Sequence, residues 1–156
     1  MKKIYALSLY GILGSLVFAL DRLTKRWAVA HASSWPLYND QDSLVSFDLV
    51  YNRGISWSMF HSSDDYQFAV VSGIIAFITL LVVIHAISWF RARRCIAGHV
   101  LVVAGSLSNI IDRYWYGGVI DFVHLHYGQW SWPIFNSADI GIVVGVVIII
   151  LISMRE

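Results

Sequence analysis

The chain has 156 residues, of which 58% carry hydrophobic side chains and only 13% are charged, with a formal net charge of +1. That balance excludes an ordinary soluble domain and gives no basic surface for nucleic acid, so no nucleic-acid partner is expected. It leaves an integral membrane protein that is mainly α, whose one cysteine, Cys95, can form no internal disulfide.

Apolar stretches of about 20 residues cross the hydrocarbon layer as helices, and the sequence predicts four, near 4–22, 67–90, 95–113 and 136–154. The first follows Lys2 and Lys3 and could pass for a secretory signal peptide, but its small-residue cleavage signal is poor and three more spans follow.

The connection after the first span, about 31–65, is too long for a turn. In it Ser43, Val45, Phe47, Leu49 and Tyr51 alternate with Leu44, Ser46, Asp48, Val50 and Asn52, which is strand periodicity. After "NRG" the alternation resumes at Ile55, Trp57 and Met59, so Gly54 is expected to permit a turn. These features predict a small extracytoplasmic β-sheet between the first two spans, resting on the outer membrane interface.

The third span carries Asn109 and Asp112 near its outer end, with Arg113 next. The loop that follows, 114–135, contains a second alternating run, "GVIDFVHLHY", in which Val119, Asp121, Val123 and Leu125 share one face if extended. This run either joins the same sheet or lines its edge. An aspartate between Ile120 and Phe122 suits a buried strand poorly unless something requires it; a solvated loop carboxylate is the plain alternative. His124 and His126 share the opposite face and could offer two metal ligands, but the sequence places no third, so exposed loop histidines are expected and no metal. Six tryptophans, Trp27, Trp35, Trp57, Trp115, Trp130 and Trp132, fall in or near the outer segments, as in an interfacial aromatic belt.

The fourth span begins with Asn136 and Asp139, repeating the interval of Asn109 and Asp112. Three residues apart on a helix is one face, so two such faces could meet in a polar cleft. An ionised group at mid-membrane costs roughly 2.5–3.5 kcal/mol on insertion scales, which makes each a functional candidate. Simpler roles exist: Asn136 is a good N-cap, Asp139 suits the positive helix end, and Asp112 could pair with a neighbouring charge such as Arg113.

Placing Lys2, Lys3, Arg91, Arg93, Arg94 and Arg155 in the cytoplasm leaves nine of the ten acidic residues at or beyond the outer ends of the helices. Both termini are then cytoplasmic, although Arg22, Lys25, Arg26, Arg53 and Arg113 fall on the outer side against the rule. No repeat or flexible linker marks a second domain, so residues 1–156 are expected to form one membrane domain.

If Asp121 and Asp139 converge, two carboxylates in one low-dielectric site cannot both ionise readily, and one keeps a proton. The ionised member can take a proton from water while the protonated one polarises a carbonyl, which suits peptide hydrolysis without a cofactor. H-E-x-x-H and G-x-S-x-G signatures are missing.

"SNIIDR" at 108–113, "GGVIDF" at 117–122 and "FNSAD" at 135–139, in that order between two apolar helices, resemble the prolipoprotein signal peptidase (signal peptidase II) family. Asp21 and Lys25 resemble its D-x-x-x-K pair and "YNRGISWSMF" at 51–60 its N-x-G-x-x-F motif. The resemblance implies a membrane aspartic peptidase of the bacterial inner membrane. Such an enzyme removes signal peptides from lipid-modified prolipoproteins, cutting just before the diacylglyceryl cysteine, with its active site near the outer face. It implies Asp121 and Asp139 as the catalytic pair, Asn52, Gly54, Asn109, Asp112, Arg113, Asn136 and Ala138 as residues that line or brace the site, and Asp21 and Lys25 as supports. Lipidated prolipoproteins and membrane lipids are the expected partners, and the chain is expected to be a monomer. Ser108 stands where glycine is common and Trp57 where phenylalanine is usual, departures that bear on the shape of the substrate pocket. Two other classes fit the intramembrane acids: a proton-coupled transporter using Asp112, Asp139 and His99, and a noncatalytic lipid-binding scaffold in which the aspartates cap helices and pair with Arg113 or Lys25.

Overall fold

The computed structural model describes residues 2–35, 44–54 and 64–155. Four α-helices carry the fold: α1 (Lys2–His31), α2 (Asp65–Arg91), α3 (Ala97–Tyr116) and α4 (Ser137–Ser153). Three strands form one antiparallel sheet in the order β1-β2-β3: β1 (Val45–Asn52), β2 (Val119–Tyr127) and β3 (Trp130–Ser131). Helices α1 and α2 are long and apolar enough to cross a membrane; α4 is apolar but shorter, at 17 residues. The run Ile55–Met59, with Trp57, lies outside the described residues.

Helix α3 is the hub, packing against α1, α2 and α4. Its contact with α4 is close because glycines meet backbone. A Cβ added to Gly105 would lie 2.6 Å from the Ala138 carbonyl oxygen, and one added to Gly98 would lie 2.6 Å from that of Gly145. Small residues let two helices approach without a hydrophobic driving force, which the bilayer does not supply. One turn beyond Gly105, that approach brings Asn109 against the start of α4. Gly117, at φ 67°, ends α3 in the left-handed region and turns the chain directly into β2.

The first helix runs nine residues past its expected end at 22. Asp21, Lys25 and Ala28 are buried, so one face of this stretch packs against protein, where Asp21 and Lys25 pair. Sequence hydropathy meets Asp21, Arg22, Lys25 and Arg26 there and ends the span early. Beyond it, Ala28 packs with Ile120 and Phe122 of β2, and Trp35, Leu49 and Val123 border this cluster.

Of the two expectations for "GVIDFVHLHY", joining the same sheet is the one that holds. Among the described residues, the connection between α1 and α2 contributes β1, and the loop after α3 contributes β2 and β3. "GVIDFVHLHY" is therefore the central strand, with Val50 opposite Asp121 and Asn52 opposite Val119. A bulge between Phe47 and Val50 re-registers β1 just before the functional segment.

Candidate active site

Asp121 sits on β2, and Asp139 in the first turn of α4. The two elements are joined at Phe135, whose N–H donates to the Val123 carbonyl (3.0 Å) and whose carbonyl accepts from Val123 N–H (2.9 Å). This bridge sets Asn136 beside β2. Its Nδ2 donates to Asp121 Oδ1 at 2.6 Å, its Oδ1 accepts from Asp139 N–H at 3.0 Å, and its own N–H donates to Asp139 Oδ2 at 3.1 Å. One asparagine thus caps α4 in a capping box and links both carboxylates.

Each aspartate has a second amide donor. Asn52 Nδ2 donates to Asp121 Oδ2 at 2.9 Å, and Asn109 Nδ2 donates to Asp139 Oδ1 at 2.9 Å. Lys25 Nζ, 2.6 Å from Asn109 Oδ1, fixes which end of that amide faces Asp139. Among the described residues no cation lies within 4.0 Å of either carboxylate. Burial, and next the charge of Asp139, push the Asp121 carboxyl up to about 7.

Both aspartates line one cavity of about 610 Å³ with Asn52, Gly54, Asn109 and Arg113. Its apolar walls come from α4 (Ile140, Val143) and from Ile134 and Phe135. Arg113 donates to the carbonyls of Arg53 (3.3 Å) and Gly54, and Gly54 N–H donates to Asn52 Oδ1 at 2.9 Å. The "NRG" segment is thereby folded over the cavity.

Asn136, Ala138, Asp112, Asp21 and Lys25 stand behind the cavity. Asp21 Oδ1 accepts from Ser137 Oγ (2.8 Å) and Ala138 N–H (2.7 Å), while its Oδ2 accepts from Ser108 Oγ (2.6 Å) and Lys25 Nζ (2.7 Å). A carboxylate from α1 thus satisfies an otherwise orphan amide at the positive end of α4. Asp112 pairs with Lys25 (2.7 Å) and Arg22 (2.5 Å). Arg113 is not its partner, because it is turned toward the backbone of Arg53 and Gly54, just after β1.

Sequence reasoning missed Arg22, Thr24 and Ser137 as members of this network, in which Thr24 Oγ1 lies 2.7 Å from Ser137 Oγ. Ser137 lies inside "FNSAD", and Arg22, three residues before Lys25 on one helical face, carried the available signal. Ser108 is buried against Asp21 and does not line the cavity, so its departure from glycine reaches the brace rather than the pocket. His99 is about 20 Å along α3 from Asp112, at 1.5 Å per residue, and forms no path with it. His124 and His126 lie in β2 rather than an exposed loop: His126 is buried, and His124 contacts Asp48 (3.0 Å) and Ser131 (2.7 Å).

Comparison with known proteins agrees in fold and in sequence. A solved bacterial membrane enzyme superposes with a TM-score of 0.71 at 22% identity, covering 95% of this chain and 88% of that one. A second gives 0.69 at 22% identity, over 96% and 94%. The lipoprotein signal peptidase of Methylorubrum extorquens (strain PA1) is 38% identical over 145 residues, 88% of this chain and 80% of that protein. The lipoprotein signal peptidase of Polynucleobacter necessarius subsp. necessarius (strain STIR1) is 32% identical over 149 residues, 94% and 90%. The family model for signal peptidase (SPase) II matches residues 13–155, and the chain belongs to that family of membrane peptidases.

Proposed function

We propose that this protein is an aspartic endopeptidase that removes signal peptides from diacylglyceryl-modified prolipoproteins, cutting just before the lipidated cysteine. The observation that carries this reading is the single asparagine, Asn136, bonded to both Asp121 and Asp139 at the wall of one cavity. Names borne by relatives at 32–38% identity supply the substrate class.

The chemistry follows from the shared proton. With Asp121 titrating near 7, the pair holds one proton at neutral pH. The ionised carboxylate takes a proton from water as the water oxygen attacks the scissile carbonyl carbon. The protonated one donates to the carbonyl oxygen, and on collapse a proton passes to the leaving amine. Asp139, held by Asn109 and by Asn136 N–H, serves as the base, and Asp121 as the acid. No cofactor enters this sequence, and Arg113 and Asn52 hold the "NRG" segment where it can flank the substrate backbone.

All four helices span the inner membrane in this reading, with both termini cytoplasmic and the sheet and active site near the outer face. Residues 1–156 then act as one peptidase domain and as a monomer, surrounded by membrane lipids. The cations on the outer side support this topology rather than oppose it, since Arg22 and Lys25 are paired with Asp112 and Arg53 with Asp65 at 2.5 Å. A lipid anchor on the substrate cysteine keeps the scissile bond at the interface, beside the first turn of α4, while the apolar wall of α4 receives the signal helix. The test is incubation of purified protein with a diacylglyceryl-modified preprotein. Cleavage before the cysteine by wild type and none by Asp139→Asn is expected; near-normal turnover by the variant would overturn the reading.

A further inference from the structure

A second cavity, of about 730 Å³, opens between α1 and α2 and is floored by α3. It is separate from the aspartates and shares no lining residue with their cavity. Its walls are almost wholly apolar: Leu7, Phe18, Val83, Ile87, Val100 and Val103 are typical. Gly11 of α1 leaves it open, since a Cβ there would meet nothing within 4 Å, while one at Gly14 would lie 3.2 Å from Val100 Cγ1.

Its length identifies the kind of occupant. From Leu7 to Phe18 on α1 the groove runs about 16 Å, at 1.5 Å per residue. That is one half of a hydrocarbon core of about 30 Å, too short for a crossing helix and matched to the acyl chain of one leaflet.

Its open end decides the headgroup. Arg91 lies there, at the end of α2, with Arg93 and Arg94 just beyond it. Every described acidic residue, from Asp21 to Asp139, sits at or toward the sheet end, so no described carboxylate competes for this cationic end. Just inside the mouth His99 lines the groove: its Nε2 is 3.0 Å from His85 Nδ1, and its buried Nδ1 has no partner among the described residues. In the tautomer where His85 donates, His99 Nδ1–H is a buried donor beside the groove.

We infer that the α1–α2 groove is a binding site for an anionic phospholipid of the leaflet opposite the sheet, with an acyl chain between the helices and the phosphate at Arg91. Such a lipid fills the space between α1 and α2 beside the Tyr10–Phe90 ring contact. A cationic side chain near the membrane surface favours an anionic headgroup by about 1 kcal/mol, or roughly fivefold.

The test is native mass spectrometry of the purified full chain in micelles holding equal phosphatidylglycerol and phosphatidylcholine. Wild type is expected to retain one phosphatidylglycerol in preference to phosphatidylcholine. Gly11→Leu fills the groove and should lose the retained lipid, and Arg91→Gln should keep a lipid while its headgroup preference falls about fivefold. Both residues are remote from Asp121 and Asp139, so retained cleavage of lipidated preprotein reports that each variant is folded. Equal retention of the two lipids by wild type overturns the inference, as does unchanged preference in Arg91→Gln, which also decides the matter if Gly11→Leu fails to fold. A co-purifying polypeptide in the groove, displaced by Gly11→Leu, would overturn it in favour of a protein partner.

Discussion

The start of α4 and the end of α3 carry the same pattern, an asparagine followed three residues later by an aspartate, and use it in opposite ways. Asp112 is closed in by Arg22 and Lys25 and also receives Ile120 N–H, so its charge is consumed in tying α1, α3 and β2 together. Among the described residues Asp139 has only amide donors within reach, and it opens onto a cavity beside a second carboxylate. Spacing sets which face of a helix two residues share. What stands opposite that face decides whether a carboxylate is spent on structure or left available for chemistry.

The sharpest test of that contrast exchanges each aspartate for asparagine. Asp139→Asn and Asp121→Asn are expected to lower cleavage of a lipidated preprotein by about 10²–10⁴-fold while the thermal midpoint in detergent holds. Asp112→Asn takes a carboxylate from buried Lys25, which keeps Asp21, and from part-buried Arg22, and should cost up to about 3–5 kcal/mol of stability, measured by thermal or denaturant unfolding. Loss of activity without loss of stability at Asp112 would dissolve the distinction.

A smaller effect separates the two duties of Asn136. Serine is also a good N-cap, so Asn136→Ser should keep the cap of α4, and any stability lost reports the buried amide bonds to Asp121 and Asn109. It removes the donor that positions Asp121, a hydrogen bond worth about 0.5–1.5 kcal/mol, so cleavage should fall by roughly 2–10-fold. Equal activity in Asn136→Ser would reduce that residue to a cap.

The smallest effects are in pH. Folding raises Asp121 from 3.8 to about 7, so between those values the folded state holds a proton that the unfolded chain has released. Stability from this group is full below about 4 and is lost as pH rises through 7, and Asp121→Asn should flatten that part of the profile. Cleavage should fall above about 7 as the shared proton leaves, and Asn52→Ala should move this limb upward, because the Asn52 bond favours the ionised carboxylate. A pH–rate profile in micelles reads both.

Much of this was open to inspection in the sequence. The four apolar runs, the alternation from Val45 to Asn52 and in "GVIDFVHLHY", and the capping signature of Asn136 with Asp139 all follow from local chemistry, because period and capping depend on near neighbours alone. The motifs also named the polar residues that belong together. The extra turns of α1 stayed hidden, because hydropathy counts Asp21, Arg22 and Lys25 as solvated ends when they are buried and paired.

Only the tertiary structure decided how those residues are divided. Sequence placed Asp112 beside Arg113, but helix packing through Gly105 and Ala138 turned it toward Lys25 and Arg22 and sent Arg113 to the carbonyls of Arg53 and Gly54. It also put Asp121 within reach of Asn136 through one backbone bridge at Phe135, and seated Asp21 from a distant helix on the amide of Ala138. The chain's own chemistry determines its helices, strands and caps, since these are satisfied within a few residues. Ion pairs and shared carboxylates join residues about 15 to 117 positions apart, and only close packing of backbones can choose among their partners.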